Sequence, residues 1–414
     1  MEKVESIELS GEHIKLRLAL VGLLAGFGVL AIMYGVLQLL SANEGWNQIT
    51  TDSTYGLGCG SDFILEYNLG SSGISATAEK KEVRRIYSEG CVYTYHLFSN
   101  DDLSDDPVDY LTVYDINQHP NEVLEIEDTL YQAFALAEET GSRYLYLAPI
   151  YSYYQNLFSC LSSEDTYEFD PLQNEEIAAF YKEVAAIAAD PEMVQLQLLG
   201  DDQICLMVSD EYLAYAETEG ITDFIDFGWM TNAFIIDYLA DSLIEAGHSY
   251  GTISSYDGFS RNMDENTEHT YSNNLYDLLD GTVYDAAKLT TCGRTATCFL
   301  RTYPMTSQDS YHYFELADGE IRHPYINAAN GLPQTGGDNL FTWTGSSGCA
   351  KLLLETIPVF LTEESIGDHV AEWKGKGISA VWFEENRLCC NTAEAQISDL
   401  CQDPVSFVLE LVDP

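Results

Sequence analysis

The segment that most constrains the fold is an uncharged apolar run over residues 18–40, LALVGLLAGFGVLAIMYGVLQLL. A helix needs about 20 apolar residues to cross the hydrocarbon core of a bilayer. The run therefore predicts a transmembrane helix over 18–40. It divides the chain into a tail of residues 1–17, the anchor, a tether of residues 41–55 and a folded domain of residues 56–414.

Charges next to the apolar run predict its orientation. Lys15 and Arg17 precede the run, whereas Glu44 follows it. Basic residues are enriched on the cytoplasmic side of transmembrane helices, so the tail is predicted to be cytoplasmic and the domain extracytoplasmic. A cleaved signal peptide is the alternative. The run is longer than a typical signal-peptide core and no clear A-x-A cleavage site follows it, which favours the anchor.

The overall charge excludes one class of function. The chain has 67 Asp and Glu residues against 18 Lys and Arg residues, a formal net charge of −49. Such a chain repels the phosphates of nucleic acids, so no nucleic-acid partner is expected. An acidic surface suits high salt, divalent cations or a cell exterior, and charge alone does not choose among them.

Hydrophobic periodicity predicts intermixed helices and strands. Helices are predicted over 121–139, over 175–189 and from Thr231, as the N-cap, to Gly247. Strands are predicted in CGSDFILEY, RRIYSEGCVYTYHLF, QICLMVS, GTISSY and the hairpin GISAVWFEENRLCCNTA, which turns near Asn386. No regular βαβ alternation is visible, so the predicted fold class is α+β.

Cysteines and histidines give no metal motif. The 10 cysteines include no CxxC pair, and the 8 histidines include no HExxH motif. Zinc-ribbon and thioredoxin-type sites are therefore not expected. Local disulfides, for example between Cys292 and Cys298, and reduced cysteines in the core both remain open.

In order and spacing, these segments resemble the ApbE family of FAD:protein FMN transferases over residues from about 55 to 390. The family segment Gly-Gly-x-x-Lys-Gly-x-x-x-Asp is similar to the stretch around FGWMTNAFIID. Gly228 occupies a glycine position and Asp237 matches the acid. Asn232 stands in place of the lysine, and Ala233 in place of the following glycine.

Two further segments carry the resemblance. AGHSYGTISSYDG is similar to a family strand that ends in two glycines, with Asp257 at the first position and Gly258 at the second. DGEIRHPYINAANGLP resembles the family segment His-His-x-x-Asp-Pro-x-Thr-Gly-x-Pro. His323 alone remains of the two histidines, Gly331 matches, and Asn327 departs from the pattern.

The resemblance implies FAD at the start of the helix near Thr231 and a magnesium ion held by an Asp-Ala-x-x-Thr helix start. The corresponding stretch, GSSGCAKLLLET, has Gly348 and Cys349 in those places. Magnesium prefers oxygen ligands, so we expect it to bind poorly and assign no metal ligand. By resemblance the candidate catalytic residues are Asn232, Asp257 and His323. The candidate flavin-binding residues are Gly228, Asp237, Gly258, Asn327 and Gly331.

Two functions follow from this sequence. The resemblance implies an ApbE-like, T-fold-like domain that moves FMN from FAD to a Ser or Thr of an exported flavoprotein. The replaced lysine and metal-carboxylate positions predict slow transfer or none. The alternative is a noncatalytic, membrane-anchored binding or scaffolding module at the cell surface, with an acidic face.

Overall fold

A nine-stranded sheet forms the centre of the structure, a computed structural model that describes residues 42–52, 58–104, 106–362 and 364–412, apart from the Lys374 side chain. Its strand order is β1-β2-β6-β7-β10-β13-β14-β15-β17, and neighbours are antiparallel except for the parallel pair β15–β17. The strands are β1 (Gly45–Ile49), β2 (Phe63–Leu69), β6 (Gly251–Ser255), β7 (Phe259–Asn262), β10 (Thr295–Arg301), β13 (Asn339–Thr344), β14 (Ser379–Glu384), β15 (Arg387–Cys390) and β17 (Val408–Leu411).

Smaller antiparallel sheets flank the central one. The first has the order β3-β5-β4, the second β16-β9-β8, and the third is the pair β11–β12. Their strands are β3 (Val123–Glu125), β4 (Val194–Gly200), β5 (Gln203–Val208), β8 (Thr270–Leu279), β9 (Thr282–Cys292), β11 (Phe314–Glu315), β12 (Ile321–Arg322) and β16 (Gln396–Ser398).

The described helices are α1 (Ala76–Leu97), α2 (Val113–Gln118), α3 (Asp128–Glu139), α4 (Ala148–Tyr154), α5 (Glu175–Ala189), α6 (Asp210–Glu219), α7 (Thr231–Glu245), α8 (Cys349–Phe360) and α9 (Ile366–His369). α1 packs on β1 and β2 of the central sheet. α7 packs on β6 and β7, and α8 packs on β10 and β13. The chain thus has the α+β class that the sequence predicts.

Helix α1 replaces a predicted strand. The stretch RRIYSEGCVYTYHLF lies almost entirely within α1, so the strand prediction is wrong. The Ser75 side chain accepts the Ala78 N–H at the start of the helix. Val83, Tyr87 and Cys91 are buried at spacings of four, which places them on one face of a helix with 3.6 residues per turn.

Helix α7 positions the candidate site, and its predicted cap is wrong. It begins after a 3₁₀ turn over Gly228–Met230, so Met230 is the N-cap and Thr231 is the first helical residue. The Thr231 hydroxyl donates to the Gly228 carbonyl oxygen at 2.7 Å instead of accepting an N–H. The predicted apolar stripe of Ile235, Leu239, Leu243 and Ala246 is confirmed at the first three residues, which are buried, whereas Ala246 is exposed at the C-cap.

Other predicted elements agree with the structure in part. The helix over 175–189 and the hairpin near Asn386 are confirmed. The helix predicted from residue 121 begins only at Asp128, because residues 123–125 form β3 against β5. Residues 45–49, in the segment predicted as a tether, form β1 against β2.

All ten cysteines lie within the described ranges, and each is a free thiol. Among the helices that the structure describes, none is long and apolar enough to cross a membrane. The predicted anchor over 18–40 lies outside the described residues.

The contact between α1 and α7 gives a first prediction. A Cβ on Gly90 would lie 2.6 Å from Leu239 Cδ2, so the two helices meet at this glycine. Leu239 is only 1% exposed, and we expect Leu239→Ala to lower the free energy of unfolding by about 3 kcal/mol, because it leaves a cavity. Chemical denaturation measures this. The control, Leu161→Ala at a 98% exposed side chain, should change stability by less than about 0.5 kcal/mol; equal losses would contradict the packing.

Candidate functional site

The start of α7 and the turn between β6 and β7 meet at one side-chain contact. The Asn232 amide donates to Asp257 Oδ2 at 2.9 Å. Asn232 lies in the first turn of α7, and Asp257 lies two residues after β6 ends. Two of the predicted catalytic residues, 25 positions apart in sequence, are therefore in direct contact.

Gly258 allows the turn to fit under β10. Its φ is +111°, and a Cβ at this position would lie 2.3 Å from the Phe299 carbonyl oxygen. The Phe299 N–H donates to the Gly258 carbonyl oxygen at 2.8 Å. Only glycine combines this backbone conformation with so close an approach.

A buried ion pair holds the segment after β10 over the site. Arg301 donates to Asp309 and, at 2.8 Å, to the Tyr256 carbonyl oxygen. Asp309 also accepts the backbone N–H groups of Met305 at 2.9 Å and Thr306 at 2.7 Å. The loop over residues 302–313 is thereby fastened to the β6–β7 turn.

A small cavity lies between the loop and the turn. Its free volume of about 10 Å³ is the room that one water molecule needs. It is lined by Trp229, Asp257, Phe259, His312, Tyr313, Pro324 and Tyr325.

Two polar atoms at this cavity are buried without a partner. Asp257 Oδ1 and His312 Nε2 accept or donate no hydrogen bond within the part of the chain that the structure describes. Burial raises the pKa of the Asp257 carboxyl, and contacts with Ser255 and His312 oppose the shift. A bridging water or a ligand group between the carboxylate and the imidazole would satisfy both atoms.

His323 lies beside the cavity. Its ring is 5.4 Å from that of Tyr325, which lines the cavity. Burial, and then the charge of Arg322, lower the pKa of His323 to about 4. The imidazole is therefore neutral at physiological pH, and its Nδ1 has no hydrogen-bond partner among the described residues.

Asp237 joins α7 to the start of α8. Its Oδ1 accepts the Cys349 N–H at 2.8 Å, and its Oδ2 accepts the Ala350 N–H at 2.9 Å. Arg261 Nη1 donates to Asp237 Oδ1 at 2.6 Å, and Arg261 Nη2 donates to Asp241 at 3.1 Å. Both carboxylate oxygens are thus occupied, and a guanidinium balances the charge.

Comparisons with known proteins were made by sequence and by structure. No protein-family model and no curated protein matches the chain. The structure is similar to the crystal structure of the ApbE protein from Thermotoga maritima, with a TM-score of 0.53, 14% identity, and coverage of 86% of this chain and 97% of that chain. It is also similar to the flavin transferase ApbE from Vibrio cholerae, with a TM-score of 0.51, 13% identity, and coverage of 86% and 97%.

The chain has an ApbE-like fold. At 13–14% identity the similarity establishes the fold alone. The chemistry has to be argued from the side chains present at the site.

The residues at the start of α8 do not fit the magnesium ion that the ApbE resemblance implies. Cys349 stands where the resemblance implies a carboxylate, and the Asp237 carboxylate beside it is bound to Arg261 and to two backbone N–H groups. No group of three or more His, Cys, Asp or Glu side chains that could hold a metal occurs in the described ranges. Arg261 supplies the positive charge here.

Three predicted flavin-binding residues have structural contacts of their own. Gly228 has a φ of +53°, and a Cβ there would meet the Tyr151 ring at 2.6 Å. Asn327 donates to the Leu361 carbonyl oxygen. Gly331 approaches α5, where a Cβ would lie 2.3 Å from the Tyr181 carbonyl oxygen.

Sequence reasoning did not single out four side chains that shape the site: Trp229, Arg261, Arg301 and His312. Arg261 and Arg301 stand on the neighbouring strands β7 and β10 of the central sheet. The sequence holds one signal for the two arginines. The chain has only 18 Lys and Arg residues against 67 acidic residues, and a buried acidic side chain needs a cationic partner.

The close approach at Gly258 predicts a localised loss of stability. Gly258→Ala should lower the free energy of unfolding by more than about 2 kcal/mol, because the new Cβ meets backbone in a disfavoured φ region. The control is Gly319→Ala, at a φ of +91° with open space around the Cβ, which should cost about 1 kcal/mol in a denaturant titration. A smaller loss at Gly258 than at Gly319 would contradict the contact.

His323 predicts a pH dependence of stability. Its folded pKa of about 4 lies below the ordinary 6.5, so its contribution is fully present above pH 6.5 and is lost as pH falls through about 4. Between these limits the wild type should lose about 3 kcal/mol more than His323→Asn, measured by denaturation at each pH. Parallel curves for the two proteins would show that His323 is solvated.

Proposed function

We propose that this protein uses the ApbE-like fold as a noncatalytic binding module, anchored in a membrane by residues 18–40 with the domain outside the cell. The observation that carries the proposal is the ion pair between Arg261 and Asp237 at the start of α8. In this pair the guanidinium of Arg261 binds the carboxylate of Asp237, so a group of the chain itself balances the negative charge. Among the described residues, the start of α8 therefore lacks a set of side chains for the magnesium ion on which the family's FMN transfer depends.

The position of the family lysine supports the same conclusion. Asn232 donates its amide to Asp257 and carries no charge to offset a pyrophosphate. The two guanidinium groups nearest the site, those of Arg261 and Arg301, are bound to Asp237 and Asp309. A bound FAD would therefore bring negative charge next to acids whose two arginine partners, Arg261 and Arg301, already balance carboxylates of the chain.

A groove on the other face of the central sheet supports a binding role. It has a volume of about 600 Å³, and Glu66 is its only charged lining residue among the described residues. Hydroxyl and amide side chains such as Ser260 and Asn262 line it together with the rings of Tyr271 and Phe299. Uncharged hydrogen-bonding groups beside aromatic rings suit a neutral polar ligand.

Residual transfer of FMN from FAD to a Ser or Thr of an exported flavoprotein is the second candidate. The unpartnered Asp257 Oδ1 and His312 Nε2 favour it, because a carboxylate and an imidazole facing one cavity can move a proton. FAD is then the substrate. Its flavin would enter only if the loop over residues 302–313 moved.

A transfer assay separates the two candidates. The full-length protein in detergent is incubated with FAD, magnesium and a Ser/Thr acceptor peptide, and FMN on the peptide is read by fluorescence and mass spectrometry. We expect no FMN-peptide, and no change of the thermal midpoint with magnesium. Loss of one transition-state charge stabiliser lowers rates by about a hundredfold or more, and both are replaced here. Magnesium-dependent labelling would overturn the noncatalytic proposal.

Matched variants test the charge argument at α8. Cys349 Sγ lies 3.1 Å from the Ser260 carbonyl oxygen and 3.6 Å from that of Thr297, so an Asp at this position would add a carboxylate to existing oxygens. We expect Arg261→Ala with Cys349→Asp to gain a magnesium-dependent rise in thermal midpoint. Arg261→Ala with Cys349→Asn, which has the same shape without the charge, should show none.

A further inference from the structure

We propose that the end of the domain at which the chain enters lies in the headgroup layer of the bilayer. We call this end the entry face and define it by Trp46, Ile74, Lys80 and Lys81. The inference rests on the proposed anchor over 18–40. The occupant of the entry face is then the lipid bilayer itself.

The length of chain between the anchor and the sheet limits the separation. The apolar run ends at residue 40, and β1 begins at Gly45. Four extended residues span at most about 14 Å. The headgroup layer on one side of a bilayer is about 5 to 8 Å thick, so the start of β1 lies within or directly above it.

Contacts within the link, by which we mean the chain between the anchor and β1, shorten its reach further. The Ala42 N–H donates to Thr77 Oγ1 in the first turn of α1 at 3.1 Å. Gly70, at the end of β2, lies against Glu44, with 2.9 Å between a Cβ at the glycine and Glu44 Cγ. The link is bound to the domain from Ala42 onwards, so the first turn of α1 and the loop before it approach the membrane together.

Exposed apolar side chains stand on this face. Trp46 is 55% exposed and lies four residues after Ala42. Ile74 is 48% exposed and lies three residues before Thr77. Tryptophan is enriched at membrane interfaces, where its ring is buried and its N–H is hydrated.

Basic residues are concentrated in the part of α1 that belongs to the entry face. Four of the chain's 18 basic residues lie within residues 80–85, in α1. Arg85 pairs with Glu82 and Glu89, whereas Lys81 is exposed and Lys80 is partly exposed. The ammonium groups of these two lysines can extend to lipid phosphates.

Fluorescence quenching in vesicles tests the proposal. The full-length chain is reconstituted in phosphatidylcholine–phosphatidylglycerol vesicles that carry a nitroxide near the headgroup or near the acyl-chain end. Trp46 should be quenched about twofold or more strongly by the shallow nitroxide than by the deep one. Trp46→Phe should remove this component, because the other four tryptophans are buried or half-buried in the domain.

Two further variants, in the Trp46→Phe background, provide a matched pair. Ile74→Trp places the probe on the entry face, and Leu161→Trp places it at a 98% exposed position on a loop far along the chain. Both positions are exposed, so neither change disturbs the core. We expect the nitroxide near the headgroup to quench the Ile74→Trp variant about twofold or more strongly than it quenches the Leu161→Trp variant.

Alkaline carbonate extraction tests the proposed anchor separately from the entry face. Retention in the membrane with quenching at Trp46 and Ile74→Trp supports both. Retention with no quenching at either position overturns the entry face and leaves the anchor in place. Release by carbonate overturns the anchor and the entry face with it.

Discussion

The Asp237 carboxylate is the junction on which the site depends. It binds the start of α8 through two backbone N–H groups and binds β7 through Arg261. A carboxylate at a helix N-terminus is stabilised by the helix dipole and by the free N–H groups there. Gly348 is required because a Cβ at that position would lie 2.2 Å from Asp237 Oδ2. The junction therefore fixes α7, α8 and β7 relative to one another through groups of the chain itself.

Local sequence signals account for the elements that were predicted correctly. α5 has an Asn174 cap and ends at Asp190-Pro191, so residues next to the helix determine both of its ends. α1 was predicted as a strand because its second half is rich in Tyr, Val and Thr, which favour strands when they stand alone. Its packing against α7 at Gly90, which no local pattern contains, overrides that preference.

The sequence predicted site residues only where they lie in a segment that resembles a linear motif. Asn232 and Asp257 were singled out in separate segments, and their hydrogen bond joins them. His312 stands in a loop with no motif, and Arg261 is an ordinary strand residue, so their roles depend on distant partners. Ion pairs between residues far apart in sequence are set by the fold, which a linear resemblance specifies only in outline.

The buried pair of Arg301 and Asp309 has a kinetic consequence for anything that enters the cavity beside Asp257. Removing one partner of a buried ion pair costs about 3 to 5 kcal/mol, and a loop whose opening costs as much is open in roughly one molecule in 150 to one in 5,000. Exchange with solvent would be limited by these rare openings. A water or small molecule enclosed next to His312 would therefore stay far longer than one on the surface, and the cavity would respond slowly to changes outside.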